Sequence, residues 1–317
     1  YIAKNIIETE IYHTNQVIAE NFSTQTDNII MENETISYQI LLNGDIYEAQ
    51  RRWESNKKFS IDFLNNFSNM LQKIKIQGKS VNRIAIFLRD SEMVIHSDGF
   101  CSFENYYQAY LSGTSLSYEQ AEALFLNKMN TGFHRVPKLE KSEGEVAYIR
   151  SLTSKIEKEK YLGNVVIFNN EQKFLQINEK TISDKKYIVS IFDKDDKFVT
   201  GSEFIETLPN INKTANGDMD LDINNSKYKC LYINSPNTGY QYLYGTNNDD
   251  LMVSLTRYIM IVVMFVLLCL IVGILTIFIS VKYNYNPVNK IAKILGRNVE
   301  TTRTNNQNIY KAIEESI

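Results

Sequence analysis

Two stretches of the chain share one texture: IFLRDSEMVIHSDG at residues 86–99 and SIFDKDDKFVTGSE at residues 190–203. Each has an apolar run, a short polar segment and a second apolar run, a pattern typical of a β-hairpin with a polar turn. Aligned at an offset of 105 residues, they are identical at Ile86/Ile191, Phe87/Phe192, Asp90/Asp195, Val94/Val199 and Ser97/Ser202. The internal repeat predicts two modules of one type, each built on an antiparallel sheet.

Other elements are predicted around the two hairpins from the period of their apolar residues. Strands are expected at residues 145–152, 162–168, 227–233 and 240–245, and helices at 45–55, 60–77, 103–111 and 117–128. The segment 210–226 shows no period and is rich in Asn, Asp and Gly, which predicts a loop.

Residues 2–42 are predicted to form one long helix without an internal Pro or Gly. A single apolar stripe on a 3.6-residue period supports it, formed by Ile7, Ile11, Ile18, Phe22 and Ile29. A stripe of this length must pack along its whole run. We therefore expect a stalk that packs against a globular module or a second copy of the chain; an ordinary amphipathic helix is the alternative.

Residues 259–281, IMIVVMFVLLCLIVGILTIFISV, contain no charged side chain. As a helix they measure about 34 Å, enough to cross a hydrocarbon core of about 30 Å. A buried helix of a soluble protein is the alternative, but such helices rarely run so long without a polar face. Residues 282–317 carry six Lys and Arg against three Glu, which places them in the cytoplasm and residues 1–258 outside, although Arg257 opposes this assignment slightly.

The composition excludes several classes of function. The chain has 317 residues, with 34 Lys and Arg against 37 Asp and Glu, so a basic nucleic-acid-binding surface does not extend over it. Cys101, Cys230 and Cys269 are too far apart for a CxxC zinc site. The sequence lacks GxxxxGK[ST], GxGxxG and GxSxG, so we expect neither an enzyme nor a cofactor in it. The chain does not begin with Met, and we expect it to be part of a longer protein.

The acidic run Asp218, Asp220 and Asp222 suggests a calcium loop but departs from the EF-hand template. That template needs Gly at its sixth position and Glu at its twelfth, where this sequence has Ile223 and Lys229. We interpret the run as a solvated acidic loop and expect no metal site.

Candidate ligand residues follow from the chemistry of small-molecule sites, which combine aromatic walls with a few convergent polar groups. One group lies after the first hairpin. Tyr148 and Arg150 lie two apart on a predicted strand, so both side chains face one side of it. An Arg in that position is able to pair with a ligand carboxylate. The candidates are His96, Asp98, Tyr106, Tyr107, Tyr148 and Arg150. The alternative is that the tyrosines belong to the core and Arg150 to the surface.

The order of these elements, with the two quoted hairpins, resembles the extracytoplasmic double Cache (dCache) sensors of bacterial transmembrane receptors. The resemblance implies an α+β fold in which a long N-terminal helix packs on two PAS-like antiparallel-sheet modules, followed by one transmembrane helix. It also implies that the membrane-distal module holds the ligand. The implied boundaries are 1–57 for the stalk and connecting helix, 58–185 for the distal module, 186–250 for the proximal module, 259–281 for the span and 282–317 for a HAMP-like or linker helix.

The pattern of a Tyr followed by Arg-x-Trp-Tyr, found in some amino-acid-binding dCache sensors, has no counterpart here. The resemblance therefore does not imply an amino-acid ligand. The expected partners are a small molecule of unknown identity, membrane lipid and a second copy of the chain.

After the span, Pro287 is expected to kink the helix, which restarts and continues over 305–317, and to pass on the signal. This exit resembles the entry to HAMP-type segments and is similar to that of membrane-anchored AraC-family regulators. The second resemblance implies contact with DNA only through a further cytoplasmic domain. A histidine kinase or chemotaxis output remains an alternative, as does a membrane-tethered binding protein without signalling.

Overall fold

The computed structural model describes residues 2–56, 58–136, 144–153, 160–175, 187–201, 217–223 and 226–299. The helices are α1 (Ile2–Leu42), α2 (Gly44–Asn56), α3 (Ile61–Gln77), α4 (Phe103–Tyr106), α5 (Tyr118–Leu126), α6 (Glu171–Leu175) and α7 (Asn248–Val299). The strands are β1 (Val81–Leu88), β2 (Met93–His96), β3 (Gly99–Ser102), β4 (Gly132–Val136), β5 (Glu145–Thr153), β6 (Tyr161–Asn170), β7 (Tyr187–Phe192), β8 (Phe198–Gly201), β9 (Gly217–Ile223), β10 (Ser226–Asn234) and β11 (Gln241–Asn247). Residues up to Asp250 form one compact unit, and residues from Leu251 onward form a second.

The described strands form two antiparallel sheets with the same strand order, apart from the additional edge strand β3 of the first sheet. The first sheet runs β3-β2-β1-β6-β5-β4 and the second β8-β7-β11-β10-β9. In each sheet, the first strand of the hairpin pairs with the strand that comes last in the chain. Strand β1 thus pairs with β6, and β7 pairs with β11. Ile86 pairs with Ile95, and at the same offset of 105 Ile191 pairs with Thr200. The predicted fold class of a long helix with two antiparallel-sheet modules and one apolar helix is confirmed. We call the module built on the sheet of β1–β6 the first module and the one built on the sheet of β7–β11 the second module.

Both faces of the first sheet are covered, because alternate residues of each strand are apolar. Ile84, Ile86 and Leu88 of β1 belong to a core with α1 and α3. Ala85 and Phe87 point the other way, into a second core with α4 and α5. The sheet therefore separates an α1-facing side from a side that the shorter helices cover.

The buried stripe of α1 differs from the predicted one. Phe22 is buried and Ile29 packs against the core, but Ile18 is 41% exposed. The side chains of Ile7 and Ile11 lie outside the described residues. The prediction was wrong at Ile18 because the buried side of α1 includes polar residues, which an apolar pattern cannot reveal; these are Ser23, Thr26, Asp27, Asn33 and Ser37.

The first module is attached to α1 through buried amides. The Asn33 and Asn169 side chains exchange hydrogen bonds of 3.0 and 3.2 Å, and the Ser80 hydroxyl donates to Asn169 Oδ1 over 3.1 Å. Glu32 accepts from the backbone N–H of Lys79 over 3.1 Å. These bonds fix the height of the helix relative to the sheet, since an unpaired buried amide is costly.

The second module is attached to α1 through one carboxylate. Asp27 is 5% exposed and accepts three hydroxyl hydrogen bonds: from Ser235 Oγ (2.6 Å), Thr238 Oγ1 (2.7 Å) and the Tyr242 hydroxyl (2.5 Å). Burial, with the Asp27 carboxylate beside it, raises the pKa of Tyr242, so its hydroxyl stays protonated and donates. One side chain of α1 thus contacts the loop before β11 and β11 itself.

The segment predicted to be a loop contains strand β9. Its aspartates, Asp218 and Asp220 among them, alternate with Met219 and Leu221, which pack on the second module's core. Lys229 of β10 lies opposite Asp220. The prediction of a loop was wrong because the Asp-rich composition concealed the alternation of aspartates with apolar residues, which is the two-residue period of a strand.

Helix α7 contains one segment, Ile259–Tyr283, that is long and apolar enough to cross a membrane. Its mean hydropathy is 3.3 and none of it is buried against protein. The expected restart at Pro287 is wrong, because the helix continues through this residue to Val299. A proline in a helix interior removes one N–H from the ladder and often kinks or breaks the helix, but here helical residues continue on both sides of it. The helix predicted at 305–317 lies outside the described residues.

Candidate ligand site in the first module

A lid, which we define as residues 103–126, covers the side of the first sheet opposite α1. It consists of α4, a π-helical turn at Tyr107–Leu111 and α5. Ser102 caps α4 by accepting the Asn105 N–H over 3.3 Å, and Ser117 begins α5 with a capping box. Turns of π-helix are rare and occur frequently at functional sites.

Two side chains of β6 hold the end of the lid against the sheet. Asn164 is fully buried and donates to the carbonyls of Phe125 and Asn127, each over 2.8 Å. Tyr161 donates its hydroxyl to the carbonyl of Leu126 over 3.0 Å. These bonds satisfy carbonyls at the C-terminus of α5 that have no partner within the helix.

An ion pair lies beneath the lid. Arg83 Nη2 donates to Glu145 Oε2 over 2.5 Å, and the two side chains are only 11% and 8% exposed. The guanidinium carbon lies 4.4 Å from the ring centroid of Phe168 and 4.8 Å from that of Tyr110. Aromatic faces attract a cation, more strongly where water is excluded. We call Arg83, Glu145, Tyr106, Tyr110 and Phe168 the arginine cluster.

His96 lies beside this cluster, with its ring centroid 5.4 Å from those of Tyr106 and Tyr110. The backbone N–H of Asp98 donates to His96 Nδ1 over 3.3 Å, so the neutral ring carries its proton on Nε2. Burial lowers the pKa of His96; Asp98 raises it, and Arg83 and Lys75 lower it further. Burial therefore favours the neutral form of the ring.

Tyr106 is fully buried between β1 and the lid, with its ring 5.2 Å from that of Phe87 in an edge-to-face contact. Its hydroxyl has no hydrogen-bond partner among the described residues. Burial raises its pKa, although Arg83 lowers it. The hydroxyl is therefore a protonated donor that has no acceptor among the described residues.

The structure places the six predicted residues in different surroundings. His96 and Tyr106 lie together at the arginine cluster. Tyr107 packs in the lid, where its hydroxyl donates to the Leu116 carbonyl over 3.0 Å. Asp98 lies at the exposed edge, 3.5 Å from Lys75 Nζ.

Tyr148 and Arg150 face one side, as their spacing on β5 indicates, but that side faces α1. The sheet thus separates them from the arginine cluster. Arg150 donates from Nη1 to Ser37 Oγ of α1 over 3.2 Å.

Sequence reasoning missed Arg83 and Glu145. In VNRIAIFL, Arg83 shares a strand face with Ala85 and Phe87, so a lone charge on an inward face was visible as a signal. Its partner Glu145 could not be found from the sequence, because the pairing depends on β6 lying between β1 and β5. Among the described residues, no group of three or more His, Cys, Asp or Glu side chains could hold a metal ion.

No family model matches the sequence, and no curated protein matches it. Solved structures show a similar fold. The ligand-binding domain of the Pseudomonas aeruginosa amino acid chemoreceptor PctC, in complex with GABA, is 11% identical with a TM-score of 0.42, over 75% of this chain and 99% of that one. The periplasmic sensory domain of the Campylobacter jejuni chemoreceptor Tlp1 is 13% identical with a TM-score of 0.46, over 78% and 98%. At such identities the likeness concerns the fold alone, and the site is argued from its own side chains.

Proposed function

We propose that this chain is the extracytoplasmic ligand-sensing region of a single-chain transmembrane receptor. The observation that carries the proposal is the arginine cluster, a charged pair enclosed by aromatic rings beneath a lid in the first module. Two modules on one long helix and an apolar helix after β11 supply the receptor layout. The role is one of binding rather than catalysis.

The arginine cluster suits a ligand better than it suits stability. Removing two charges from water is expensive, so apolar residues of similar volume often serve a core equally well or better. Arg83 has five N–H donors, and the described residues accept a hydrogen bond from one of its nitrogens, Nη2. A carboxylate is the group that pairs best with the remaining donors of a guanidinium. The ligand class we propose is a small carboxylate, with the Tyr106 hydroxyl as a second donor.

Ligand binding must favour one of two arrangements of the sensing region, or no signal is transmitted. Asn248, the first residue of α7, follows β11 directly. We propose that the change reaches the cytoplasm as a small shift or rotation of α7. Residues 1–258 then lie outside and 282–317 inside, and the working receptor is a homodimer in lipid.

The output is proposed in three forms: an AraC-type DNA-binding domain, a histidine kinase, or a chemotaxis transducer. A membrane-tethered binding protein without signalling is the competing class. The coding sequence beyond Ile317 distinguishes them. Two helix-turn-helix patterns support the AraC-type regulator, a phosphoacceptor His with ATP-binding motifs supports the kinase, and an early stop codon supports tethering.

The ligand site is tested by thermal shift on the whole chain in nanodiscs, against short mono- and dicarboxylates and the twenty amino acids. A ligand that binds only the folded state raises the melting temperature. We expect at least one carboxylate to do so. The double variant Arg83→Met/Glu145→Leu should fold, because it replaces the pair by apolar groups, but should lose the response.

Arg51→Met is the matched control, since Arg51 is an exposed residue of α2, outside the first sheet and its lid. It should keep the full response. An unchanged response in the double variant would remove the arginine cluster from the ligand site. Failure of the entire panel to raise the melting temperature would contradict carboxylate sensing there.

A further inference from the structure

We propose that a cleft between the two modules is a second ligand site, specific for an aromatic carboxylate. The cleft measures about 800 Å³ and is lined by α1 and both modules, among them Tyr38, Arg150 and Tyr240. This site is separate from the arginine cluster, which lies on the other side of the first sheet, and does not depend on it.

Arg150 is the anchor of the proposed site. Its guanidinium carbon lies 3.6 Å from the ring centroid of Tyr38, and one nitrogen donates to Ser37 Oγ over 3.2 Å. Within the part of the chain that the structure describes, no carboxylate forms an ion pair with it. A guanidinium held flat by a ring, with donors to spare, is prepared for bidentate contact with a carboxylate.

The charges around the cleft favour an anion. Its lining holds five Lys and Arg against three Asp and Glu, and Lys194 and Lys197 of the second module are among the cations. Arg135 is already paired with Glu171 over 2.8 Å. Burial, with Lys197 nearby, lowers the pKa of His134 and disfavours a positive charge there, although Asp193 raises it.

The floor of the cleft is aromatic. The Phe133 ring lies 4.9 Å from that of Tyr148 and 6.0 Å from that of Tyr240. The Tyr148 hydroxyl is buried beside the Ser37 and Arg150 side chains. Such a floor suits a planar apolar body. An aromatic acid satisfies both the floor and Arg150.

An occupant of this cleft would touch both modules at once. Tyr148 and Arg150 belong to the first module, whereas Lys194 and Tyr240 belong to the second. A ligand that bridges them stabilises this arrangement of the modules relative to any other. Binding here would therefore modulate the receptor independently of the lid.

Isothermal titration of the whole chain in nanodiscs with benzoate, phenylacetate and indole-3-acetate tests the site, with benzamide and phenylacetamide as uncharged counterparts. We expect at least one acid to bind and its amide not to bind. Arg150→Gln should lower the affinity for that acid by about tenfold or more, since a charge-assisted pair is lost. Arg89→Gln removes an exposed cation that does not line the cleft, and should leave the affinity unchanged.

Three results would overturn the proposal: no binding by any of the acids, equal binding of acid and amide, or an affinity that Arg150→Gln does not alter. The variant Arg83→Met/Glu145→Leu separates the two sites. Binding that survives this variant but not Arg150→Gln belongs to the cleft. Binding lost only in Arg83→Met/Glu145→Leu belongs to the lid and contradicts a second site.

Discussion

Replacing Asp27 by Ala should detach the second module from α1. The carboxylate is 5% exposed and accepts hydrogen bonds from Ser235, Thr238 and Tyr242. A hydrogen bond to a charged group contributes about 1.5–3 kcal/mol. Ser235 is buried, but Thr238 is partly exposed, so water is able to replace part of what is lost. We therefore expect a net loss of about 3–4 kcal/mol rather than the full contribution of three bonds.

For a unit of this size, that loss corresponds to a fall of about 10 °C in melting temperature. Asp27→Asn keeps the shape and one acceptor oxygen, and should cost about 1–2 kcal/mol. The control is Asp90→Ala in an exposed turn, expected to change stability by less than about 0.5 kcal/mol.

The assay is hydrogen exchange and thermal unfolding of the whole chain in nanodiscs. Backbone protection should fall most over residues 235–246 in Asp27→Ala, and much less in the first sheet. A double-mutant cycle with Tyr242→Phe should show coupling of about 1 kcal/mol or more, because the two side chains share a hydrogen bond. If Asp27→Ala matches Asp90→Ala in melting temperature and exchange, α1 is not attached through this carboxylate.

Further predictions concern pH, the amide pair and one glycine. Burial holds the pKa of His96 and His134 below 6.5, so their contribution to stability is complete above pH 6.5 and is lost as the pH falls toward their folded pKa values. Replacing both by Asn should therefore make the melting temperature depend less on pH between 7.5 and 5.5. Asn169→Ala should cost about 2–3 kcal/mol, because the buried Asn33 Oδ1 loses its donor while Asn33 Nδ2 keeps the Ile29 carbonyl. Chemical denaturation measures this loss, with an exposed Asn replaced by Ala as the control. Gly163 has φ +156°, and a Cβ there would lie 1.9 Å from a backbone oxygen, so Gly163→Ala should lower the melting temperature, unlike Gly113→Ala in open space.

The strands and helices with strong apolar periods were predictable from the sequence. The two hairpins appear as expected, with β1 ending at Leu88 and β7 at Phe192. Strand β9 was not, because three aspartates in seven residues resemble a loop unless their alternation is counted. Helix α1 was predicted in extent but not in orientation, since Asp27 and Asn33 are buried by partners more than 100 residues away.

The candidate site was predicted only in part, and the reason is topological. His96 and Tyr106 are close in sequence and meet across one strand and the lid. Arg83 and Glu145 are 62 residues apart and meet only because β6 lies between β1 and β5. Spacing alone placed Arg150 on one face of its strand, but which face meets α1 depends on the assembled sheet.

The most direct measurement of the central claim is labelling of single cysteines by a membrane-impermeant maleimide on intact cells. The positions are Asp90→Cys in the first module and Lys290→Cys beyond the apolar segment, both at exposed residues and measured above the labelling of the unsubstituted chain. An extracytoplasmic sensor with one membrane span predicts that Asp90→Cys reacts on intact cells and Lys290→Cys only after permeabilisation. Reaction of Lys290→Cys on intact cells, or protection of Asp90→Cys until the membrane is opened, would contradict it.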